Sequence, residues 1–303
     1  MSSFVHRVLG SAALTRATRT LYRVPGYGAV IRVARRRVIA RSRGVVASRS
    51  GYPVWLDEQT YDFVVPYLRE EYEPELSRFV SGLLGPGDVF VDVGANIGHF
   101  SLLAAPVVGS DGEVWALEPD PLAFHALQRN VEVGGHENIR ALNIAVAAEE
   151  GTVTLFRSGF GGGMNSLISS PESVGREPVE VRAVPIDALV DHEVRGIKVD
   201  VEGVEATVLA GMRAVIARSP EAWVIVEWRP WFLDKWAGGD ASSPLRALRQ
   251  LGLRSYVIDA DEELSLRDVS ETGEEYAQNR NYNVLGVRAG SDVERLALEL
   301  TQS

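Results

Sequence analysis

Hydrophobic and polar positions change period repeatedly along this chain, and the changes predict its elements. Between residues 61 and 84, Leu76, Phe79, Val80, Leu83 and Leu84 follow a three-to-four spacing, which predicts a helix. Gly85-Pro86-Gly87-Asp88 then breaks the chain. Val89–Val93 is a short, apolar, β-branched run, as expected of a strand buried on both faces. Ile97–Val107 returns to helical spacing, and Glu113–Glu118 reads as a second strand. In Glu118-Pro119-Asp120-Pro121, Asp120 suits an N-cap and Pro121 a first helical position, so a helix runs from there to about Val131. Ile139–Val146 predicts a third strand, and Thr152–Phe156 and Val179–Val184 two more. The glycine-rich stretch Ser158–Gly163 between them reads as a mobile loop. Further on, Ile197–Val201, Ala222–Trp228, Ser255–Asp259 and Tyr282–Val287 read as strands, with helices at Val204–Ala217 and Leu245–Leu251.

Strands alternating with helices imply an α/β fold whose mostly parallel sheet is covered on both faces. There are no internal repeats. The pattern divides the chain into a basic extension over 1–56, a helical lead-in over 57–86, the α/β domain over 87–290 and a tail over 291–303.

Composition narrows the chemistry. The 303 residues are 46% hydrophobic and contain no cysteine, which removes disulfides, thiolate metal sites and a cysteine nucleophile. A cysteine-free chain also fits a reducing compartment, and the expected location is cytoplasmic. The net charge of −10 is unevenly spread: eleven arginines precede the first acid, Asp57. The remainder is acidic, so nucleic acid is not the expected substrate. In residues 1–50, apolar positions such as Val30, Ile31 and Val38 mix with Arg32, Arg35, Arg36 and Arg37. This segment reads either as an amphipathic surface for peripheral membrane contact or as an extension packed on the acidic domain. Its composition also matches an organelle transit peptide. No apolar run reaches the ~18–20 residues that span a bilayer.

The strongest motif is Asp92-Val93-Gly94-Ala95-Asn96-Ile97-Gly98, where a buried strand turns into a helix. Ligands bind beside the carboxyl ends of strands in such sheets. Gly94 permits a sharp turn and a close ligand, Gly98 a close helix, and the turn and helix start offer backbone N–H groups. Asp92 would repel a pyrophosphate but suits an ammonium group, which favours S-adenosylmethionine over a dinucleotide. Glu118, 26 positions on at the end of the next strand, is placed to accept ribose hydroxyls. Ala145, in Asn143-Ile144-Ala145-Val146, supplies an apolar flank for adenine.

Val91–Gly98 resembles the opening motif of FkbM-type methyltransferases, and Ile197-Lys198-Val199-Asp200-Val201-Glu202-Gly203-Val204-Glu205 resembles their second signature. Val208–Gly211, Pro185–Leu189, Val226-Glu227 and Asn281–Leu285 extend the resemblance over about residues 88–288. It implies a Rossmann-like seven-stranded methyltransferase sheet with the last strand antiparallel, and S-adenosyl-L-methionine as cofactor. It also implies O-methylation of a small acceptor: a sugar, glycolipid or secondary metabolite. His99 departs from the apolar residue expected after Gly98.

Methyl transfer to an alcohol needs alignment and a proton acceptor. Asp200, ending the strand expected beside the first, is the leading base; Glu202 is the alternative, and Glu227 would orient the hydroxyl. Asp200 could instead only cap the helix that follows, Lys198 could be solvated or ion-paired, and His99 a polar contact. Three acids on adjacent strand ends could hold a divalent cation. No histidine or ligand spacing accompanies them, so no metal is expected. Trp223, Trp228, Trp231, Phe232 and Trp236 read equally as acceptor pocket or as packing, and Gly159–Asn165 as a loop over the substrate. An amine acceptor and a non-catalytic adenosylmethionine-binding subunit are the competing readings. The oligomeric state is not encoded in any motif.

Overall fold

The computed structural model describes residues 44–47, 53–55, 73–157, 166–169, 178–259, 264–270, 273, 276 and 280–301. The loop Gly159–Asn165, residues 61–72 and most of the basic segment lie outside the described residues.

In chain order, a hairpin of β1 (Val45–Ala47) and β2 (Pro53–Trp55) precedes helix α1 (Pro74–Leu83). Two strand–helix steps and a third strand follow: β3 (Val89–Val93), α2 (His99–Val108), β4 (Glu113–Leu117), α3 (Pro121–Gly134) and β5 (Ile139–Leu142). Next come β6 (Ala145–Val146), β7 (Gly151–Leu155), β8 (Val179–Val184) and the short α4 (Ile186–Leu189). The second half comprises β9 (Gly196–Val199), α5 (Glu205–Ala210), α6 (Arg213–Arg218), β10 (Trp223–Trp228), α7 (Pro230–Trp236) and α8 (Ser243–Gln250). It closes with β11 (Arg254–Asp259), β12 (Ser265–Asp268), β13 (Tyr282–Val287) and α9 (Asp292–Leu300).

The main sheet runs in the order β12-β11-β13-β10-β9-β3-β4-β5. Neighbours from β10 through β9, β3 and β4 to β5 are parallel. The last strand, β13, is antiparallel between β10 and β11, as the resemblance implied. The expected seven strands become eight, because β12 adds an antiparallel edge to β11. Side chains alternate between two apolar cores, as a sheet buried on both faces requires. Val91, Ile197, Val199, Val224 and Val226 enter one core; Phe90, Val114, Ala116, Ile225 and Leu285 enter the other.

Local chemistry explains several boundaries. The Asp120 carboxylate accepts the Leu122 N–H at 3.0 Å, Pro121 opens α3, and Gly135 ends it at φ 67°. Two expected elements are corrected. The strand over Ile139–Val146 breaks at Asn143, whose Nδ2 donates to the carbonyls of Glu118 and Pro119 at 2.8 and 3.0 Å. Its second half, β6, leaves the main sheet and pairs with β8 in a separate sheet of order β6-β8-β7. The helix over Val204–Ala217 breaks at Gly211, where a Cβ would lie 2.2 Å from the Ala147 carbonyl oxygen. Asp187 restarts it by accepting the Ala214 and Val215 N–H groups at 2.9 and 2.8 Å.

The outer boundaries shift too. Residues 292–300 are not a free tail: α9 buries Val293 and Ala297 in the core that α1 fills with Leu76 and Phe79. Among the described residues, no helix is long and apolar enough to cross a membrane.

Candidate active site

The carboxyl ends of β3, β4, β9 and β10 open into one cavity of about 260 Å³. Of the sequence-selected positions, Asp92, Gly94, Asn96, Glu118, Ala145 and Asp200 line it. Glu202 and Glu227 line it as well; Gly98 does not.

The turn after β3 carries three left-handed residues in five: Gly94 at φ 79°, Asn96 at 53° and Gly98 at 94°. At Gly94 a Cβ would lie 2.0 Å from the Asp200 carbonyl oxygen, so the first close approach is by backbone rather than by ligand. At Gly98 it would lie 2.6 Å from Leu127 Cδ1, so this glycine seats the turn on α3. Outside bonds hold the turn. The Gly94 and Ala95 N–H groups donate to the Leu117 carbonyl at 2.9 and 3.0 Å.

Glu118 ties the two loops together. Its Oε2 accepts the Asn96 N–H and its Oε1 the Asp120 N–H, each at 2.8 Å. Burial pushes this carboxyl up to about 8, while the two backbone donors oppose the shift. The apolar Ile144-Ala145-Val146 flank lies on the same cavity wall.

Asp92 is buried and accepts the Ser101 hydroxyl at 2.6 Å; burial raises its pKa against the nearby Lys198 charge. Lys198 is itself 2% exposed, donates to Asp200 Oδ2 at 2.7 Å and lies 4.5 Å above the Phe100 ring. Burial pulls the Lys198 pKa down, but Asp200, Glu73 and Asp92 carry it above the ordinary lysine value. Of the two readings open for this lysine, the ion-paired one holds.

Burial acts to raise Asp200, yet the Lys198 ammonium, with hydrogen bonds from Lys198 and Glu227, holds it below the usual aspartate range. Burial, then the charges of Asp200 and Glu202, push Glu227 well above the usual glutamate range. The two carboxyls thus shift in opposite directions, Asp200 toward its ionised form and Glu227 toward its protonated form. Glu202 is ion-paired with the buried Arg229, and its backbone carbonyl accepts the Ser166 hydroxyl at 2.5 Å. Glu202 is thus held by Arg229 as Asp200 is held by Lys198.

His99 is buried, and its Nε2 is 2.8 Å from the Ser77 hydroxyl of α1. Burial and the Lys198 charge lower it to about 4, so it is a neutral polar contact. The tryptophans divide. Trp223 and Trp228 are fully buried, whereas Trp231 lies at the rim, where Nε1 donates to Asn281 Oδ1 at 3.2 Å. Asn281 Nδ2 in turn donates to Glu227 Oε1 at 3.3 Å.

Sequence reading did not single out Arg229, Ser77, Glu73 or Asn281 as site residues. Their placement depends on which strands become neighbours, and no local spacing announces it. Lys198 carried a faint signal, being one of two lysines in the chain and set in an apolar strand. Among the described residues no group of three histidine or carboxylate side chains is arranged to hold a metal ion.

The residues suit S-adenosylmethionine. Glu118 faces the cavity with oxygen lone pairs left for a diol, and the 144–146 flank suits a flat base. The surrounding acids favour a cationic sulfonium and ammonium and oppose a pyrophosphate.

A family model described as the methyltransferase FkbM domain matches residues 92–264. No curated protein matches the chain. Among solved structures, an FkbM methyltransferase from Methylobacillus flagellatus KT is 16% identical with a TM-score of 0.42, covering 86% of this chain and 60% of that one. An S-adenosylmethionine-dependent O-methyltransferase from Thermotoga maritima is 14% identical with a TM-score of 0.44, covering 80% and 77%. A precorrin-6y C5,15-methyltransferase from Geobacter metallireducens GS-15 is 16% identical with a TM-score of 0.41, covering 71% and 87%.

Proposed function

The chain belongs to the FkbM methyltransferase family, whose members use S-adenosylmethionine, and from that premise we propose that it methylates a hydroxyl oxygen of a small neutral acceptor. The observation that carries this reading is the Asp200–Glu227 carboxyl pair at adjacent strand ends, both lining the cavity, with the Lys198 ammonium bound to Asp200.

The donor brings a methyl group already activated on a sulfonium, so the protein need only hold, orient and move a proton. Glu118 would bind the ribose diol, the 144–146 flank the adenine, and Asp92 the ammonium. Gly94 and Asn96 shape the turn against which the donor lies. Asp200, kept ionised by Lys198, takes the hydroxyl proton as the new bond forms. Glu227, protonated, orients the acceptor oxygen and is itself oriented by Asn281. Glu202 and Arg229 fix the wall beside them.

The acceptor class follows from charge. Both cations of the wall, Lys198 and Arg229, are already paired with Asp200 and Glu202. A phosphorylated acceptor would meet carboxylates without a matching cation, which argues against nucleic acid. Trp231 at the rim suits the face of a sugar or of a polyketide-type ring. The basic segment 1–50 is proposed as a peripheral membrane contact of a cytoplasmic enzyme. Failure of the full-length protein to sediment with anionic vesicles at physiological salt would reject that part alone.

Asp200→Asn tests the chemistry. It should lower turnover on a hydroxyl acceptor by about a hundredfold or more, with S-adenosylhomocysteine affinity nearly unchanged. Near-normal turnover would point to an amine acceptor instead.

A further inference from the structure

Asn130 is a fully buried amide in the middle of α3. Its Oδ1 accepts the Trp55 backbone N–H at 2.6 Å, and its Nδ2 donates to the Ile97 carbonyl at 2.7 Å. Only this orientation of the amide serves both, since an N–H needs an acceptor and a carbonyl a donor. One partner is β2, whose Trp55 ring also lies 4.4 Å below the Arg129 guanidinium. The other is the turn that shapes the donor site.

That turn has little preference of its own for one shape. Asn96 adopts a left-handed conformation without glycine's freedom, between two glycines that do the same. The turn has one bond of its own, from the Gly98 N–H to the Ala95 carbonyl at 2.8 Å, and bonds from outside hold the rest. Glu118 does so at Asn96 N–H, and Asn130 does so one residue later at the Ile97 carbonyl.

We infer that Asn130 is a positioning residue for the donor-binding turn, and that through it the β1–β2 hairpin, outside the family-matched residues 92–264, is a working part of that site. The inference rests on the donor site proposed above. It assigns the hairpin, at the end of the basic extension, a task distinct from membrane contact: holding α3 and the turn in register.

Asn130→Asp separates the two halves of the contact. Ionised, aspartate still accepts from Trp55 but offers Ile97 no donor; protonated, it regains one. Full-length parent and variant would be titrated with S-adenosylhomocysteine at pH 9 and pH 6, with amide exchange at Trp55 followed in parallel. The variant should bind about tenfold more weakly than the parent at pH 9, with a smaller deficit at pH 6. Its Trp55 amide should stay protected. In the parent, ligand should slow exchange at Trp55, a readout that does not depend on the variant folding. Equal affinity of variant and parent at pH 9, or a parent Trp55 amide indifferent to ligand, would overturn the inference and leave the donor site standing. A parent that does not bind the ligand would remove the donor site, and the inference with it.

Discussion

Gly94 has the Asp200 carbonyl oxygen where any side chain would begin, and its φ of 79° is one that other residues rarely adopt. Gly94→Ala should therefore cost about 2 kcal/mol or more of stability. Denaturant unfolding would show it as a lower midpoint with an unchanged slope, and an unshifted midpoint would refute the close approach. The same contact links the two signatures physically: the turn after β3 rests on the end of β9, so neither motif is shaped alone. Asp92, Glu118 and Asp200 were legible because a strand end is a position that local pattern reveals. The state of each acid was not. Lys198 decides that Asp200 is ionised, and Arg229 decides that Glu202 is occupied. The Arg229–Glu202 pairing arises only when β9 and β10 lie side by side, whereas Lys198 and Asp200 stand two residues apart at one strand end.

Elements were read well where one local signal decided them. Asp120-Pro121 marked the start of α3, and the apolar run 89–93 marked β3. Reading failed where a distant group intervened. Asn143 reaches back to the end of β4 and splits one strand into β5 and β6; Asp187, from α4, caps α6 and divides one helix into two. The first turn of α5 holds a group whose protonation is measurable. Glu205 is fully buried, and burial pushes it up to about 8 against an ordinary value of 4.5. The folded chain thus keeps a proton that the unfolded chain releases. Stability from this group is fully present below 4.5 and is lost as pH rises through about 8. The loss is at most about 1.4 kcal/mol per pH unit. Glu205→Gln should flatten the stability-versus-pH curve over that window. A variant as steep as the parent would show that Glu205 is ionised when folded.

On the scale of the whole molecule, alternation of strands and helices was sufficient to predict a mostly parallel, two-faced sheet. It could not predict the eighth strand, because β12 is a short edge whose burial is only partial. Nor did it show that α1 and α9 close one core together, since the first read as a helical lead-in and residues 291–303 only as a tail. The family match begins at residue 92, yet Ser77 reaches His99 and Trp55 reaches Asn130 from before it. The folded unit therefore extends beyond the matched residues.

The central claim is that the cavity at the ends of β3 and β4 binds the methyl donor through Glu118. Calorimetric titration of the full-length protein with S-adenosylhomocysteine, beside a folded Glu118→Ala variant, tests it most directly. The parent should show clear one-to-one binding, and the variant an affinity lower by about tenfold to a hundredfold. Equal affinity in both, or no binding by the folded parent, would contradict it.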